Sequence, residues 1–336
     1  MLKILPVHQP LVHGYLHHAY PLSLFSADDQ RLKNWAFSNY LQLYFNNDPT
    51  ERDPKLNFYL PYNCISQYTT HPLFTVNRIT KQLVEGSILN FIRAAIEQEF
   101  YVYTFVDEYY LSYSSNYERE NYVHDIFING YDEEYEQLTV SAFDNSKIFK
   151  TFNVPYHEFV TAYNATLTIP EEEKFSFFDE INLFKENEHY NYRFDIELVY
   201  MLLSDYLHGR NTSRRHIMMG NQTQFSFGTS TYSILFEMLE NKIDSRAFHI
   251  FWEHKKCVAL CLEELEKQYA LNLQTEIQTY KTIESDAFIL RNWLLKFQFT
   301  GNQELIANIR IKLEMIKDLE IKCLSRVVRL IDDYQA

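Results

Sequence analysis

Apolar residues near the end of the chain recur at every third or fourth position, which is the spacing of one helix face. The set is Leu305, Ile309, Leu313, Ile316, Leu319, Cys323, Val327, Leu330 and Tyr334. Thr300-Gly301-Asn302 predicts a break before this helix, because glycine commonly ends helices. Similar spacing predicts two earlier helices, over residues 250–270 and 274–299. Three helices with such short connections indicate an antiparallel bundle.

The first half of the chain has a different pattern. Residues 80–99 predict an amphipathic helix, and Phe100–Val106 is a run rich in aromatic and β-branched residues, which favours a strand. Three further strands are expected at residues 124–129, 137–143 and 147–153. A short helix is expected over Val154–Tyr163. Helices followed by antiparallel strands predict an α+β fold.

Proline divides the chain into two parts. All nine prolines lie between Pro6 and Pro170, and a long proline-free stretch is compatible with long helices. We therefore expect an α+β domain over residues 1–170 and an α-helical bundle over residues 229–336. Residues 171–228 have no readable pattern and are interpreted as a connecting segment.

Composition narrows the range of functions. The 336 residues include 31 Lys and Arg against 45 Asp and Glu, a formal net charge of -14. An acidic surface repels phosphate groups, so we expect neither a nucleic-acid partner nor an anionic membrane partner. No apolar run approaches the ~20 residues of a membrane helix, and the first ten residues lack the apolar region of a signal peptide. These features predict a cytoplasmic location.

The four cysteines show neither a disulfide framework nor zinc-ligand spacing. Cys257 and Cys261 are four residues apart on an expected helix and are interpreted as small core residues. Glycine-rich phosphate-binding motifs are also missing from the sequence. We therefore expect no metal and no cofactor. The 26 tyrosines and 26 phenylalanines have two readings, an aromatic core or an apolar cleft with hydroxyl groups at its rim.

The residues between Tyr101 and Tyr163 hold the main candidate site. His124 opens one expected strand and Asp144 follows the end of its hairpin neighbour, so both can meet at one sheet edge. A histidine is a suitable general base, and a carboxylate can orient it and stabilise the imidazolium. The alternative is a histidine that simply bonds a neighbouring strand. Asp107, Glu108 and Tyr109 are expected to line this site as substrate-binding residues.

The same region resembles a known family. His124–Asp132, Ala142–Asp144 and Val154–Phe159 look like the part of papain-like domains that runs from the histidine to the aspartate, as in double-glycine-leader peptidases and the butirosin biosynthesis protein H-like family. Shorter matching strings are Leu5-Pro6, His18–Ser23, Trp35–Leu43, Val106–Tyr110, Phe227-Gly228, Arg246–His249, Glu253–Lys255 and Leu290–Asn292. The resemblance therefore extends over nearly the whole chain.

What the resemblance implies is an N-terminal papain-like domain that acts on acyl groups. The family is found with nonribosomal peptide and polyketide gene clusters, and its named member transfers an acyl group from a carrier-protein thioester to an amine. Carried over by position, His124 is the base and Asp144 is the orienting carboxylate. The family cysteine begins an early helix, but here that slot falls at Ala19 or Tyr20. Cys64 is either a substitute nucleophile or a buried structural cysteine.

Two functions are therefore expected from different classes. The first is an acyl- or peptidyl-transferase, or a thioester or amide hydrolase, with a degenerate Cys-His-Asp site and Tyr20 at the substrate. The second is a catalytically inactive module that binds an assembly line of antibiotic biosynthesis. Both imply an acyl or peptidyl carrier protein with a phosphopantetheine thioester as the partner. The amphipathic last helix also suggests a homodimer.

Overall fold

The computed structural model describes residues 1–48, 56–60, 71–84, 86–144, 148–170, 172, 174–215, 223–241 and 243–336. The chain divides into two compact units. Residues 1–32 and 64–192 make up the first, and residues 33–63 and 193–336 make up the second. Each unit is thus assembled from two separate stretches of chain. Within the described ranges, no helix has both the length and the apolar content needed to cross a membrane.

The fold mixes helices with two antiparallel sheets. The strands are β1 (Leu2–Ile4), β2 (Leu43–Asn46), β3 (Leu56–Phe58), β4 (Phe74–Thr80), β5 (Tyr101–Asp107), β6 (Val123–Asp132), β7 (Gln137–Phe143), β8 (Phe149–Pro155), β9 (Glu180–Glu186) and β10 (Phe225–Phe227). The helices are α1 (Leu16–Leu22), α2 (Gln30–Asn39), α3 (Ile88–Glu97), α4 (Tyr156–Leu167), α5 (Ile196–Leu207), α6 (Thr231–Glu240), α7 (Ser245–Tyr269), α8 (Gln274–Thr300) and α9 (Gln303–Gln335).

One antiparallel sheet forms the centre of the first unit. Its strand order is β4-β9-β5-β6-β7-β8, and β1 also pairs with β6. Strand β5 is buried along nearly its whole length, as expected for a strand covered on both faces. Helices α3 and α4 pack against β5. Gly130 lets β1 approach β6, because a Cβ there would lie 2.8 Å from the carbonyl oxygen of Lys3.

Helices dominate the second unit. Helices α7, α8 and α9 follow one another with short connections and pack in sequence, while α5 and α6 contact α9. A residue in the left-handed backbone conformation ends α7 and another ends α8. They are Ala270, at φ 51°, and Gly301, at φ 65°. A small antiparallel sheet of β10, β2 and β3 completes the unit, and β3 packs against α7.

The predicted C-terminal helices and the four predicted strands are confirmed. Their observed bounds lie within a few residues of the expected ones. The expected helix over residues 80–99 is shorter, because residues 81–83 form a 3₁₀ turn and α3 begins at Ile88. Leu319 and Tyr334 were expected on the inner face of the last helix, but they are 37% and 54% exposed.

The structure also divides the chain differently from the expected domains. Residues 171–228 contain β9, α5 and β10, so they belong to the two units themselves. Strand β9 extends the first unit to residue 192, beyond the expected end at residue 170. Residues 33–63, which were expected in the first domain, belong to the second unit. Strand β2 pairs with β3 on one side and with β10 on the other, and the long-range pairing with β10 has no local signal in the sequence.

A buried ion pair lies at the centre of the second unit. The Lys255 amine on α7 donates to both carboxylate oxygens of Glu320 on α9, at 2.8 and 2.9 Å, and both residues are fully buried. The hydroxyls of Tyr206, Tyr232 and Tyr280 also donate to Glu320. Four helices, α5 to α8, thus contribute one donor each to a single carboxylate on α9. This saturation offsets the cost of burying two charges.

The histidine beside this pair is held neutral. Burial and the adjacent Lys255 charge lower the pKa of His254 to about 3. Its Nε2 lies 2.9 Å from the carbonyl oxygen of Leu41, which can only accept, so Nε2 carries the proton. Nδ1 therefore accepts from the Lys255 amine, 3.3 Å away. Burial lowers the pKa of Lys255 to about 8, although Glu320 opposes this effect.

Removal of the Lys255 charge should destabilise the second unit strongly. We expect Lys255→Met to lower the free energy of unfolding by about 3–5 kcal/mol, because Glu320 would remain charged and buried. Urea titration followed by circular dichroism measures this change. Lys256→Met, at the next position of α7, is the matched control and should cost much less. The cost of Lys255→Met and Glu320→Gln combined should be smaller than the sum of the single costs; strict additivity would contradict the pairing.

A second buried lysine, Lys81, lies in the first unit, and no carboxylate among the described residues bonds to it directly. The Lys81 amine donates to the carbonyl oxygen of Phe105 at 2.7 Å and to Thr166 Oγ1 at 2.5 Å. It also lies 4.6 Å from the centre of the Tyr163 ring. Burial lowers the pKa of this amine to about 7. Compared with the unfolded chain, the folded chain therefore favours the neutral amine.

The stability of the first unit should depend on the pH through Lys81. Between about pH 7 and pH 10.5 the unfolded chain binds more protons at this amine than the folded chain does, so stability rises with pH across this window and is lost as the pH falls towards 7. We expect the unfolding free energy of the wild type, relative to Lys81→Met, to increase from pH 7 to pH 10. Lys296→Met, at an exposed site on α8, removes the same charge away from the buried site and is the control. A constant difference for Lys81→Met would contradict the shifted pKa.

Candidate functional site

His124 lies at the start of β6, on the central sheet of the first unit. Its register partner is Val106, near the end of β5. The side chain is 34% exposed, and the exposed Tyr122 ring stacks against it with 5.4 Å between ring centres. The imidazole is thus held in place from one side while it remains open to solvent.

Two carboxylates lie beside one nitrogen of this ring. His124 Nδ1 is 3.1 Å from Asp125 Oδ1 and 3.5 Å from Glu108 Oε1. Neither contact has the alignment of a hydrogen bond, and Asp125 Oδ1 has no hydrogen-bond partner. The contacts therefore become strong only when the ring is protonated, as ion pairs. Among the described residues, His124 Nε2 has no hydrogen-bond partner, and the side chain as a whole is 34% exposed.

Asp125 is the more buried of the two acids. Burial raises the pKa of its carboxyl group, although the nearby His124 and a hydrogen bond from Tyr103 both oppose the effect. The Tyr103 hydroxyl donates to Asp125 Oδ2 at 3.0 Å. Asp125 was not among the expected site residues. The sequence signal was its position directly after His124, although neighbouring side chains of a regular strand point to opposite faces.

Glu108 is positioned by the loop that follows β5. It lies in a 3₁₀ turn over Glu108–Tyr110. Its Oε2 accepts from Ser114 Oγ and from Asn116 Nδ2, each at 2.7 Å. These bonds fix the carboxylate and leave Oε1 directed to His124. The prediction that Glu108 lies beside His124 is consistent with this placement.

Asp107 organises the same loop. Its carboxylate accepts from the backbone amides of Tyr109 and Tyr122, both at 3.0 Å, and from Asn121 Nδ2 at 2.6 Å. Because Tyr109 and Tyr122 lie at opposite ends of the loop, one carboxylate closes it. Asp107 is buried, and these bonds occupy both of its oxygens. Tyr109 itself packs edge-on against Tyr110, next to Glu108.

Asp144 contacts a different set of groups. Its Oδ2 lies 2.6 Å from the Lys150 amine, and its Oδ1 accepts from the backbone amide of Ile148 at 3.0 Å. The pairing between β6 and β7 ends at Phe127 and Ser141, three residues before His124 and Asp144 would meet. In the described part of the chain, His124 is therefore brought together with Glu108 and Asp125, and Asp144 lies in the turn between β7 and β8.

Tyr20 lies in the interior of the first unit, next to the backbone of Asp125. It is fully buried on α1, and its ring stacks on Phe127 at 5.0 Å. Its hydroxyl is 3.4 Å from the backbone oxygen of Asp125. Burial, with a contribution from Asp125, raises the pKa of this phenol well above its usual value. Ala19 is also fully buried, so both candidate positions for the early nucleophile lie inside the unit.

The cysteines do not supply a nucleophile in the described residues. Cys64, which was expected either as a substitute nucleophile or as a structural residue, lies outside the described residues. Cys257 and Cys261 are fully buried on α7, which confirms them as core residues. Burial raises the pKa of both thiols. These two thiols are therefore poor nucleophiles.

No protein-family model matches this chain, and a search of curated proteins found no match. The chemistry of the site must therefore be argued from its own geometry. A partly exposed imidazole with two carboxylates at Nδ1 is suited to accept a proton, because the acids stabilise the imidazolium that forms.

Loss of the Asp107 carboxylate should open the loop that holds Glu108. We expect Asp107→Ala to cost about 1–3 kcal/mol, because three donors lose their acceptor. Hydrogen exchange should become faster at the backbone amides of Tyr109 and Tyr122 in this variant. Asp132→Ala is the control, since that carboxylate accepts two amides in the separate turn after β6. Unchanged exchange at Tyr109 and Tyr122 would contradict the role of Asp107.

Proposed function

We propose that the first unit is a papain-like acyl-transfer domain in which His124 is a general base that acts without a covalent enzyme intermediate. The substrate class is an acyl or peptidyl thioester on the phosphopantetheine arm of a carrier protein, and the acceptor is an amine. The observation that carries the proposal is the arrangement of His124, which has two acids at Nδ1, a side chain that is 34% exposed, and no hydrogen bond to Nε2 among the described residues.

The proposed step balances without a cofactor. The amine attacks the thioester carbonyl and forms the new C–N bond, while His124 Nε2 accepts the amine proton. The C–S bond then breaks, and the imidazolium returns the proton to the leaving thiolate. Glu108 and Asp125 stabilise the intermediate imidazolium by the ion pairs that their positions allow. With water in place of the amine, the same base would give a hydrolase.

The buried residues of α1 support direct attack of the amine on the thioester. In the family that the sequence resembles, a cysteine at an early helix forms an acyl intermediate. Here Ala19 and Tyr20 occupy that slot, and both are fully buried. Neither side chain carries a thiol, so a covalent route through this position has no chemical basis. Asp144 is left outside the proposed mechanism, because its carboxylate pairs with Lys150.

The lack of a nucleophile at Ala19 and Tyr20 also favours a second candidate function, that of a binding module without catalysis. A papain-like domain that has lost its nucleophile can still recognise a carrier protein and its bound acyl chain. We infer the connection with nonribosomal peptide or polyketide biosynthesis, and a cytoplasmic location, from the resemblance of the sequence to the butirosin biosynthesis protein H-like family. The two candidates differ in whether His124 is needed for turnover.

A thioester assay separates these functions. The full chain is incubated with acyl and aminoacyl pantetheine thioesters and amine acceptors, and products and intact protein are weighed by mass spectrometry. We expect His124→Gln to lower the rate by about 10²–10⁴-fold, the usual contribution of a general base. Glu108→Gln should lower it less. His157→Gln, an exposed histidine elsewhere in the unit, is the matched control and should retain full activity.

Three other results would contradict the non-covalent mechanism. An acyl adduct that disappears in Cys64→Ala would establish a cysteine nucleophile. Equal rates for the wild type and His124→Gln would remove the general base. If no variant reacts, but the chain binds an acylated carrier protein in a titration, the binding module is the better description.

A further inference from the structure

The last helix has a second apolar stripe that faces solvent. Ile309, Leu313 and Ile316 are fully buried. Ile311 and Met315, by contrast, are 62% and 51% exposed, and the exposed Leu319 follows four residues later. At 3.6 residues per turn, these last three side chains lie above one another on one face. Large apolar side chains that are continuous along a helix are typical of contact surfaces.

Polar residues, three of them charged, continue this stripe at both ends. Glu304 and Asn308 precede it, and Lys322 and Arg326 follow it, each within a narrow sector of the same face. Glu304 and Lys322 have no ion-pair partner among the described residues, whereas Arg326 contacts Glu276 on α8 at 3.1 Å. The stripe is therefore acidic at its N-terminal end, apolar in the middle and basic at its C-terminal end.

Two copies of this stripe have complementary charges only when the two helices run antiparallel. If a second α9 runs antiparallel with Met315 on the two-fold axis, Ile311 faces Leu319 of the other copy. In the same register Glu304 faces Arg326, and Asn308 faces Lys322. A parallel pair would place Glu304 against Glu304 and Lys322 against Lys322, which is repulsive.

We propose that α9 is the interface of a two-fold symmetric homodimer, centred on Met315, in which the helices run antiparallel. Such an interface is isologous, because each contact occurs twice. One helix pair is small compared with a standard interface, and the net charge of -14 opposes association. We therefore expect a dissociation constant in the micromolar range. This proposal is independent of the proposed acyl transfer.

Sedimentation velocity between about 1 and 200 μM tests the assembly. We expect a concentration-dependent dimer for the wild type and a weakening of at least ten-fold for Met315→Glu, which places two carboxylates on the axis. Gln278→Glu, at an exposed site on α8, adds the same charge away from the stripe and should dimerise normally. Unchanged circular dichroism shows that each variant folds. A wild-type chain that stays monomeric at all concentrations would overturn the proposal.

Disulfide trapping tests the register and the direction. Met315→Cys places two thiols on the axis, so mild oxidation should link the chains efficiently. The two copies of residue 311 would be about 12 Å apart along the helices, because each faces residue 319, and this exceeds the reach of a disulfide. We therefore expect little linkage for Ile311→Cys and none above background for the wild type. Efficient linkage of Ile311→Cys would indicate parallel helices and overturn the proposed arrangement.

Discussion

Backbone pairing by β9 is the constraint on which the first unit depends. The strand lies between β4 and β5, so its amides and carbonyls are paired on both sides. Among the described strands, β4 joins the sheet only through β9, although more than a hundred residues separate some paired positions, such as Phe74 and Glu186. Because β5 carries Asp107 at its end, the same pairing supports the loop that positions Glu108. The sheet and the candidate site are therefore completed by a strand that local sequence patterns assign to a connection.

The two units use similar polar groups in opposite ways. Around Glu320, three phenols and an amine saturate one carboxylate, and no group at its centre is exposed. Around His124, two carboxylates approach a ring that is one-third exposed, and one of their oxygens has no hydrogen bond. A saturated network in a low-dielectric interior stabilises one protonation state. An unsaturated and exposed group can exchange its proton, which is the property that acid–base chemistry requires.

Sequence patterns predicted the parts of the fold that depend on local periodicity. The three long helices and strands β5 to β8 have continuous helical or alternating patterns, and they appear where expected. Strand β9 pairs with β4 and strand β2 pairs with β10, and in both cases the partner is far away in the sequence, so these pairings could not be read from local patterns. For the site, the position of His124 at a strand end was predictable. Its contact with Asp125 was not, because alternation along a regular strand directs adjacent side chains to opposite faces.

The division of each unit into two stretches affects how the chain folds during synthesis. Residues 33–63 belong to a unit that is completed only by residues 193–336, so about 130 residues separate their synthesis from that of their partners. At typical translation rates this interval is on the order of ten seconds. During it, the apolar residues of β3 and the edge of β2 have neither β10 nor α7 to cover them. The nascent chain therefore exposes these apolar residues and this strand edge to solvent while the first unit is being made.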